Sequence, residues 1–279
     1  MLTIGNFDGV HLGHQTIIRR VSEHAKFNQV HSIALTFEPH PVRYFRPETP
    51  AFRLTTPGQK CALLTHYGID SPVVLQFASD VVQLEPVAFV DSVIIEAFRP
   101  SLVIVGYDFN FGKDRKGTPE LLRSRCEAKG ITVEIQAPVS IAAGAVSSTR
   151  VRGGIRTGAM VKARPFAIVG RVVHGMGRGR EMGIPTANIA TGDVLLPKHG
   201  VYVSKLEVYG ENPVVYDAIT NIGVRPTFEE EGVTVETFVL DESAPSDLDL
   251  YDKPVAVHLL ERLRDERTFS SSRALQAQI

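Results

Sequence analysis

Two rhythms of apolar and polar positions divide the chain. In the first half, short continuous apolar runs alternate with stretches whose apolar residues recur every three or four positions. Those are the periods of buried strands and amphipathic helices. After a first short strand at residues 3–4, the spacing predicts a helix over 13–27, with Ile17, Ile18 and Val21 as its buried stripe. Residues 31–37 read as a strongly apolar strand, which stops at Glu38-Pro39-His40-Pro41 because the prolines forbid helix or sheet continuation. Next come a helix at 59–67, a strand at 72–77, and a helix at 87–98 with Val90, Val93, Ile94 and Ala97 on one face. A strand at 102–105, a helix at 119–129 and a strand at 132–137 complete this half. Such alternation with continuously apolar strands predicts a parallel sheet covered on both faces, an α/β Rossmann-like domain. Ligands of such sheets bind beyond the carboxyl ends of the strands, so the turns at 7–14, 38–41 and 106–112 should share one mouth.

From about residue 167 the helical period gives way to strands at 167–173, 201–208, 214–221, 233–240 and 255–259, separated by Gly, Pro, Asn or Asp turns. This pattern predicts a small antiparallel β-barrel, closed by a C-terminal helix over 270–279. The boundary falls near 156–164, giving domains at 1–156 and 157–279, with no internal repeat or low-complexity tract. Both ends are abrupt, with only Met1 to Ile4 before the first turn and Ile279 inside a helical pattern, as in a truncated fragment or a misassigned start.

Composition narrows the picture. At 279 residues, 43% hydrophobic and 22% charged, the chain can bury two cores. A net charge of −1 gives no reason to expect nucleic acid or an anionic membrane as partner. No run is long enough to span a bilayer and no signal-peptide pattern precedes the first motif, so a cytoplasmic location is expected. Cys61 and Cys126 lack metal-ligand spacing and read as reduced thiols. Oligomeric state is left open.

The most informative stretch is Gly5-Asn6-Phe7-Asp8-Gly9-Val10-His11-Leu12-Gly13-His14, in the turn from the first strand to the first helix. A helix start supplies unpaired N–H groups and partial positive charge, which suits a nucleoside triphosphate. Gly13 lets the backbone approach a phosphate, with His11 and His14 projecting towards it. The plainer alternative is a helix start with one core and one exposed histidine. Ser147-Ser148-Thr149-Arg150-Val151-Arg152 offers hydroxyls and arginines at another helix start, suited to the β- and γ-phosphates or else to capping alone. In Gly106-Tyr107-Asp108-Phe109-Asn110-Phe111-Gly112, Asp108 serves either ribose or substrate, or caps its own turn. No P-loop is present, since Gly106 to Lys113 has the wrong spacing and Asp114 stands where a hydroxyl is needed.

In the second half, Gly175-Met176-Gly177-Arg178-Gly179-Arg180 is a glycine-rich basic loop, able to hold phosphate through its amides or to be a hairpin with solvated arginines. Pro185-Thr186-Ala187-Asn188 follows, where Thr186 and Asn188 offer hard oxygens of the kind Mg²⁺ accepts. Val235-Glu236-Thr237-Phe238 puts a carboxylate in an apolar strand. Such a Glu usually faces solvent; directed into a barrel mouth, it suits proton abstraction.

Taken in order, the opening segment, Thr36-Phe37-Glu38-Pro39-His40-Pro41, the 106–112 loop and the 147–152 segment resemble the bacterial bifunctional riboflavin kinases/FMN adenylyltransferases (FAD synthetases) along essentially the whole chain. The resemblance implies phosphorylation of riboflavin in the barrel and adenylylation of FMN to FAD and pyrophosphate in the α/β domain, both with Mg-ATP. It implies that His11 and His14 contact the ATP phosphates in a pocket shaped by Gly5, Phe7, Asp8 and Gly13. Ser148, Thr149 and Arg152 would steady the departing pyrophosphate, while His40 and Asp108 would serve the flavin or ribose side. In the barrel, Gly177, Arg180, Thr186 and Asn188 would meet ATP, with Thr186 and Asn188 also at the metal. Arg225, in Asn221-Ile222-Gly223-Val224-Arg225-Pro226-Thr227-Phe228, would lie on the flavin side, and Glu236 would be the general base for the ribityl hydroxyl. Relative to that family the segment 161–166 is short, Gly153-Gly154 weakens the inter-domain helix, and Asp252 replaces a glycine at a left-handed turn that Asp tolerates. The competing readings are a nucleotidyltransferase with another acceptor, such as a phosphopantetheine or choline phosphate, and a flavin- or nucleotide-binding protein without turnover.

Overall fold

The computed structural model describes residues 1–141, 144–157, 166–174, 186–224, 233–241, 244–245 and 248–267. It divides into two compact units, Met1–Arg150 and Val151–Ile279. In the first unit the elements run β1 (Leu2–Ile4), α1 (Leu12–Phe27), β2 (Ile33–Glu38), α2 (Pro41–Phe45), α3 (Pro57–His66), β3 (Ser71–Gln76) and α4 (Ser79–Val82). Then come α5 (Pro86–Ala88), a π-helical segment (Phe89–Glu96), β4 (Leu102–Gly106), α6 (Pro119–Glu127), β5 (Thr132–Gln136), and the hairpin β6 (Ser140–Ile141) and β7 (Gly144–Ala145). The division falls within α7 (Ser148–Thr157).

The sheet has the order β3-β2-β1-β4-β5 with every pairing parallel. Successive strands leave β1 in opposite directions, so the crevice between the ends of β1 and β4 is where such a fold takes a ligand. The turns after β1, β2 and β4 accordingly open on one edge. Helix α1 packs Ile17, Ile18 and Val21 with Phe7, Ala34 and Ile104 on one face of the sheet. On the other face Leu35, Val90, Ile94, Val103, Leu122 and Val133 form the second core layer.

Two local readings of this unit need correction. Pro41 does not merely end β2: it occupies the first turn of α2, where a missing N–H costs nothing. The expected regular helix at 87–98 widens to a π-helix, which keeps Val90 and Ile94 buried but turns Ala97 out to solvent. The Gly153-Gly154 pair lies within α7 without ending it, and the Thr157 hydroxyl donates back to both glycine carbonyls at 3.1 and 3.0 Å.

The second unit is a closed antiparallel barrel of β8 (Phe166–Val173), β9 (Thr186–Ala190), β10 (Gly200–Val208), β11 (Val214–Val224), β12 (Val233–Val239) and β13 (Pro254–Arg264). Their order around the wall is β10-β11-β12-β9-β8-β13. Strand β9 had not been expected, because Thr186 and Asn188 read as loop ligands. It closes the barrel by pairing with both β12 and β8. The expected closing helix at 270–279 lies outside the described residues. Asp252 does adopt left-handed backbone, φ 60°, in the glycine's place.

The barrel interior carries a short polar chain. Ser204 and Thr220 hydroxyls lie 2.8 Å apart, and Thr220 and Thr237 hydroxyls 2.9 Å apart, all fully buried. Thr220 is the shared partner, so Thr220→Val keeps the shape but strands two hydroxyls. We expect it to cost about 1–3 kcal/mol in the barrel's urea unfolding transition, with Ser204→Ala/Thr220→Val/Thr237→Val recovering most of the loss.

Candidate functional site

In the first unit the site is built where two helices begin. His11 caps α1, its Nδ1 accepting from the His14 amide at 3.4 Å. The His11 and His14 rings stack with centroids 3.6 Å apart, and Phe7 meets His14 edge-on at 5.2 Å. Gly13 is required beneath them, since a Cβ there would press on the His11 ring at 3.2 Å; it also faces the Val146 carbonyl. Ser147 caps the first turn of α7 by accepting from the Arg150 amide, and the Ser148 hydroxyl donates to the Asp8 carbonyl at 3.0 Å. The N-termini of α1 and α7 therefore converge, with the free amides and dipole ends that attract anions.

The sequence-predicted contacts divide into those at the mouth and those that build it. Half-buried His11, His14 and Ser148 and exposed Thr149 stand at the mouth; Arg152 is half-buried one turn further along α7. Phe7, expected among the ATP contacts, is instead a core residue at 1% exposure, and Gly5 leaves room for its ring. Asp8 is also buried: its carboxylate accepts from the Leu54 and Thr55 amides at 2.9 and 3.1 Å, lashing the loop to residues 54–55. Phe7 and Val10 sit in left-handed backbone, φ 48° and 40°, a strain of about 1–3 kcal/mol each that this lashing holds in place. His40 is buried as the cap of α2, accepting from Val42 N at 3.1 Å with its ring edge on Phe52. Asp108 is exposed just beyond β4.

Two features escaped the sequence reading. One is an ion cluster beneath the mouth: the Glu38 carboxylate holds Arg53 Nη2 at 2.8 Å and Lys60 Nζ at 3.1 Å. Lys60 stands four residues before Leu64 on the buried stripe of α3, which was the available signal. Burial, with His11 and then Lys60 adding their charge, holds the His14 imidazole well below the usual histidine range. The other is a set of exposed rings at the ends of β2 and β3, where Tyr44 and Phe45 pack edge-on against Phe77. Phe45 is 62% exposed, a flat apolar surface of the kind an isoalloxazine stacks on.

In the second unit strand register assembles the site. Glu236 of β12 lies directly opposite Asn188 of β9 and Asn221 of β11, with Thr186 two residues from Asn188 on the same face. Val235 and Thr237 turn inward, so Glu236 stands half-buried on the outer face of the wall, not in the interior. Its half-buried neighbours on that face include Asn188 and Thr186. Asn221 Nδ2 donates to Glu266 Oε1 at 3.4 Å, and Glu266 covers Gly223 so closely that a Cβ would overlap its carboxylate. Asn221 and Glu266 were missed because only strand pairing sets Asn221 opposite Glu236, and only the fold brings Glu266 to Asn221. Gly177, Arg180 and Arg225 lie outside the described residues. Among the described residues no cluster of His, Cys, Asp and Glu could cage a metal alone. Hydroxyl and amide oxygens at Thr186 and Asn188 fit Mg²⁺ held chiefly by substrate phosphates.

A family model described as FAD synthetase matches residues 1–150, and one described as riboflavin kinase matches residues 162–279. The bifunctional riboflavin kinase/FMN adenylyltransferase of Pseudomonas fluorescens is 37% identical over 283 residues, spanning 99% of this chain and 88% of that protein. Its counterpart in Escherichia coli K12 is 32% identical over 284 residues, spanning 100% of this chain and 89% of that protein. A solved structure described as a macrolide-efflux protein from Streptococcus pneumoniae superposes with a TM-score of 0.85 at 30% identity, covering 99% of this chain and 90% of that one. Efflux belongs to that description alone; among the described residues here, no helix is long and apolar enough to cross a membrane.

Proposed function

Because the chain belongs to the family of bifunctional riboflavin kinases/FMN adenylyltransferases, converting riboflavin to FMN and FMN to FAD, we propose how its own residues divide that work. In the first unit the FMN phosphate oxygen attacks the α-phosphorus of ATP in line, and pyrophosphate leaves. The nucleophile is already an anion, so the protein supplies position and charge stabilisation, with no general base. His11 and His14 meet the phosphates from the start of α1, with Gly5, Phe7, Asp8 and Gly13 shaping the loop. Ser148, Thr149 and Arg152 take the pyrophosphate. Asp108 and the ring of Phe45 serve the flavin side, and His40 holds the turn between them. The observation that carries this reading is the convergence of two helix N-termini on one stacked histidine pair.

In the barrel the ribityl hydroxyl attacks the γ-phosphorus of ATP, ADP leaves, and Glu236 accepts the hydroxyl proton. Thr186 and Asn188 hold the metal-bound phosphates beside it; Gly177, Arg180 and Arg225 complete the ATP and flavin contacts. When bound, Mg²⁺ neutralises triphosphate charge at both sites. We place the enzyme in the cytoplasm, where ATP is supplied and Cys61 and Cys126 stay reduced. Burial beside Asp91 and Glu127 pushes the Cys126 thiol up to about 11, which keeps it inert.

Purified chain incubated with riboflavin, ATP and Mg²⁺ should yield FMN and then FAD on chromatography, and EDTA should stop both steps until Mg²⁺ is restored. FMN without FAD overturns the first-unit assignment. Unchanged riboflavin overturns the barrel assignment, and unchanged FMN when FMN is supplied as well favours a binding protein without turnover.

A further inference from the structure

The turn that leads into His11 has left-handed backbone at Phe7, Gly9 and Val10, with φ 48°, 79° and 40°. For a β-branched residue such as Val10 that geometry is an outlier, kept only where the surroundings enforce it. Within the turn the Val10 amide donates to the Phe7 carbonyl at 3.1 Å. From outside, the turn is gripped by Thr55, which is buried. The Thr55 hydroxyl accepts from the Gly9 amide at 3.1 Å and donates to Asp8 Oδ1 at 3.3 Å. Its backbone amide donates to the same Asp8 oxygen at 3.1 Å, so one residue holds two consecutive residues of the turn. The approach is close enough that a Cβ on Gly9 would lie 2.7 Å from the Leu54 side chain. Thr55 is not needed by the helix that follows it. Thr56 caps α3, accepting from the Gln59 amide at 3.2 Å while the Gln59 side chain accepts from the Thr56 amide at 2.9 Å. That reciprocal cap fixes the chain at 55–56 and gives Thr55 a rigid base. We propose that Thr55 is a positioning residue for adenylyl transfer, its hydroxyl holding the 7–10 turn in the strained form that aims His11 at the phosphates. This rests on the reading of His11 as a phosphate contact.

The physical reason is the strain itself. Without the hydroxyl, the Gly9 amide loses this acceptor and Asp8 loses one of its donors. Phe7 and Val10 are then less firmly held against their preference for negative φ. His11 follows Val10 directly and caps α1, so its ring moves with the turn. The His14 ring stacked on it loses its support in the same movement. A misplacement of about 1 Å, set far from the chemistry, is enough to cost about 100-fold in rate.

The test uses the full chain as parent, Thr55→Val, Thr55→Ser, His11→Asn and His11→Asn/Thr55→Val. Adenylylation of supplied FMN is measured at saturating Mg-ATP and FMN, below the unfolding transition of each variant. Riboflavin phosphorylation serves as the control for an intact barrel. Thr55→Val keeps the shape and loses the hydroxyl; we expect kcat for adenylylation to fall about 10–100-fold, with KM for ATP within about 3-fold of the parent. Thr55→Ser keeps the hydroxyl and should stay within about 3-fold of the parental kcat. In the His11→Asn background, Thr55→Val should cost less than about 3-fold, because the ring that the turn aims is already gone. Parental kcat in Thr55→Val, or an equal loss in Thr55→Ser, overturns the proposal. Losses that multiply in the double variant also overturn it, since they mean damage that does not act through His11. Where Thr55→Val fails to fold, Thr55→Ala is read in its place with the same expectations. Parental adenylylation by His11→Asn overturns the phosphate reading of His11, on which the role of Thr55 rests.

Discussion

The Glu236→Gln enzyme is expected to phosphorylate riboflavin about 10²–10⁴-fold more slowly than the parent while adenylylating supplied FMN at close to the parental rate. Glutamine keeps the length of the side chain and can still hydrogen-bond beside Asn188 and Asn221, its register partners. What it loses is the capacity to accept a proton. In barrier terms the expected change is about 3–5 kcal/mol, too large for a lost surface contact. Because Val235 and Thr237 carry the inward packing of β12, the substitution leaves the barrel core untouched. Separate assays, riboflavin with Mg-ATP and FMN with Mg-ATP, read the two steps apart. A parental kinase rate overturns the assignment of Glu236 as base, and an equal loss of both activities points to damaged folding.

The two folds were legible because the apolar periods differ so sharply between the halves. The stripe Ile17, Ile18 and Val21 and the continuous strand at 102–105 fix the parallel layer almost unaided. Strand β9 was not legible, since its five residues carry two polar side chains that suggest a ligand loop. Those polar residues are compatible with a strand because its outer face is only half-buried. The candidate site was legible as two helix starts, at the His11 cap and the Ser147 cap. It was misread where polar residues serve architecture: the Asp8 carboxylate looked like a ligand contact and turned out to anchor a strained loop to residues 54–55. It was invisible where only three-dimensional pairing makes it. Nothing in the spacing of Glu38, Arg53 and Lys60, or of Asn221, Glu236 and Glu266, announces that each set is close in space.

Replacing His14 by alanine should have the mirror-image effect on the two steps. We expect FMN adenylylation to fall about 10²–10³-fold, as when a preorganised donor to a developing anion is removed, while riboflavin phosphorylation is kept. Incubated with riboflavin and Mg-ATP, this enzyme should therefore accumulate FMN where the parent makes FAD. His14→Gln, which returns one N–H near the position of Nε2, should recover part of the rate. The ring also packs against Phe7 and His11, so some stability is lost with it. That contribution is separated by saturating the protein with both substrates: a packing defect is relieved by ligand, whereas a missing donor in the transition state lowers kcat itself. Parental kcat with a raised KM would mean that His14 binds ATP without contributing to transfer. Parental kcat and KM together would remove the histidine pair from the site, leaving the convergence of α1 and α7 as the sole support for a triphosphate there.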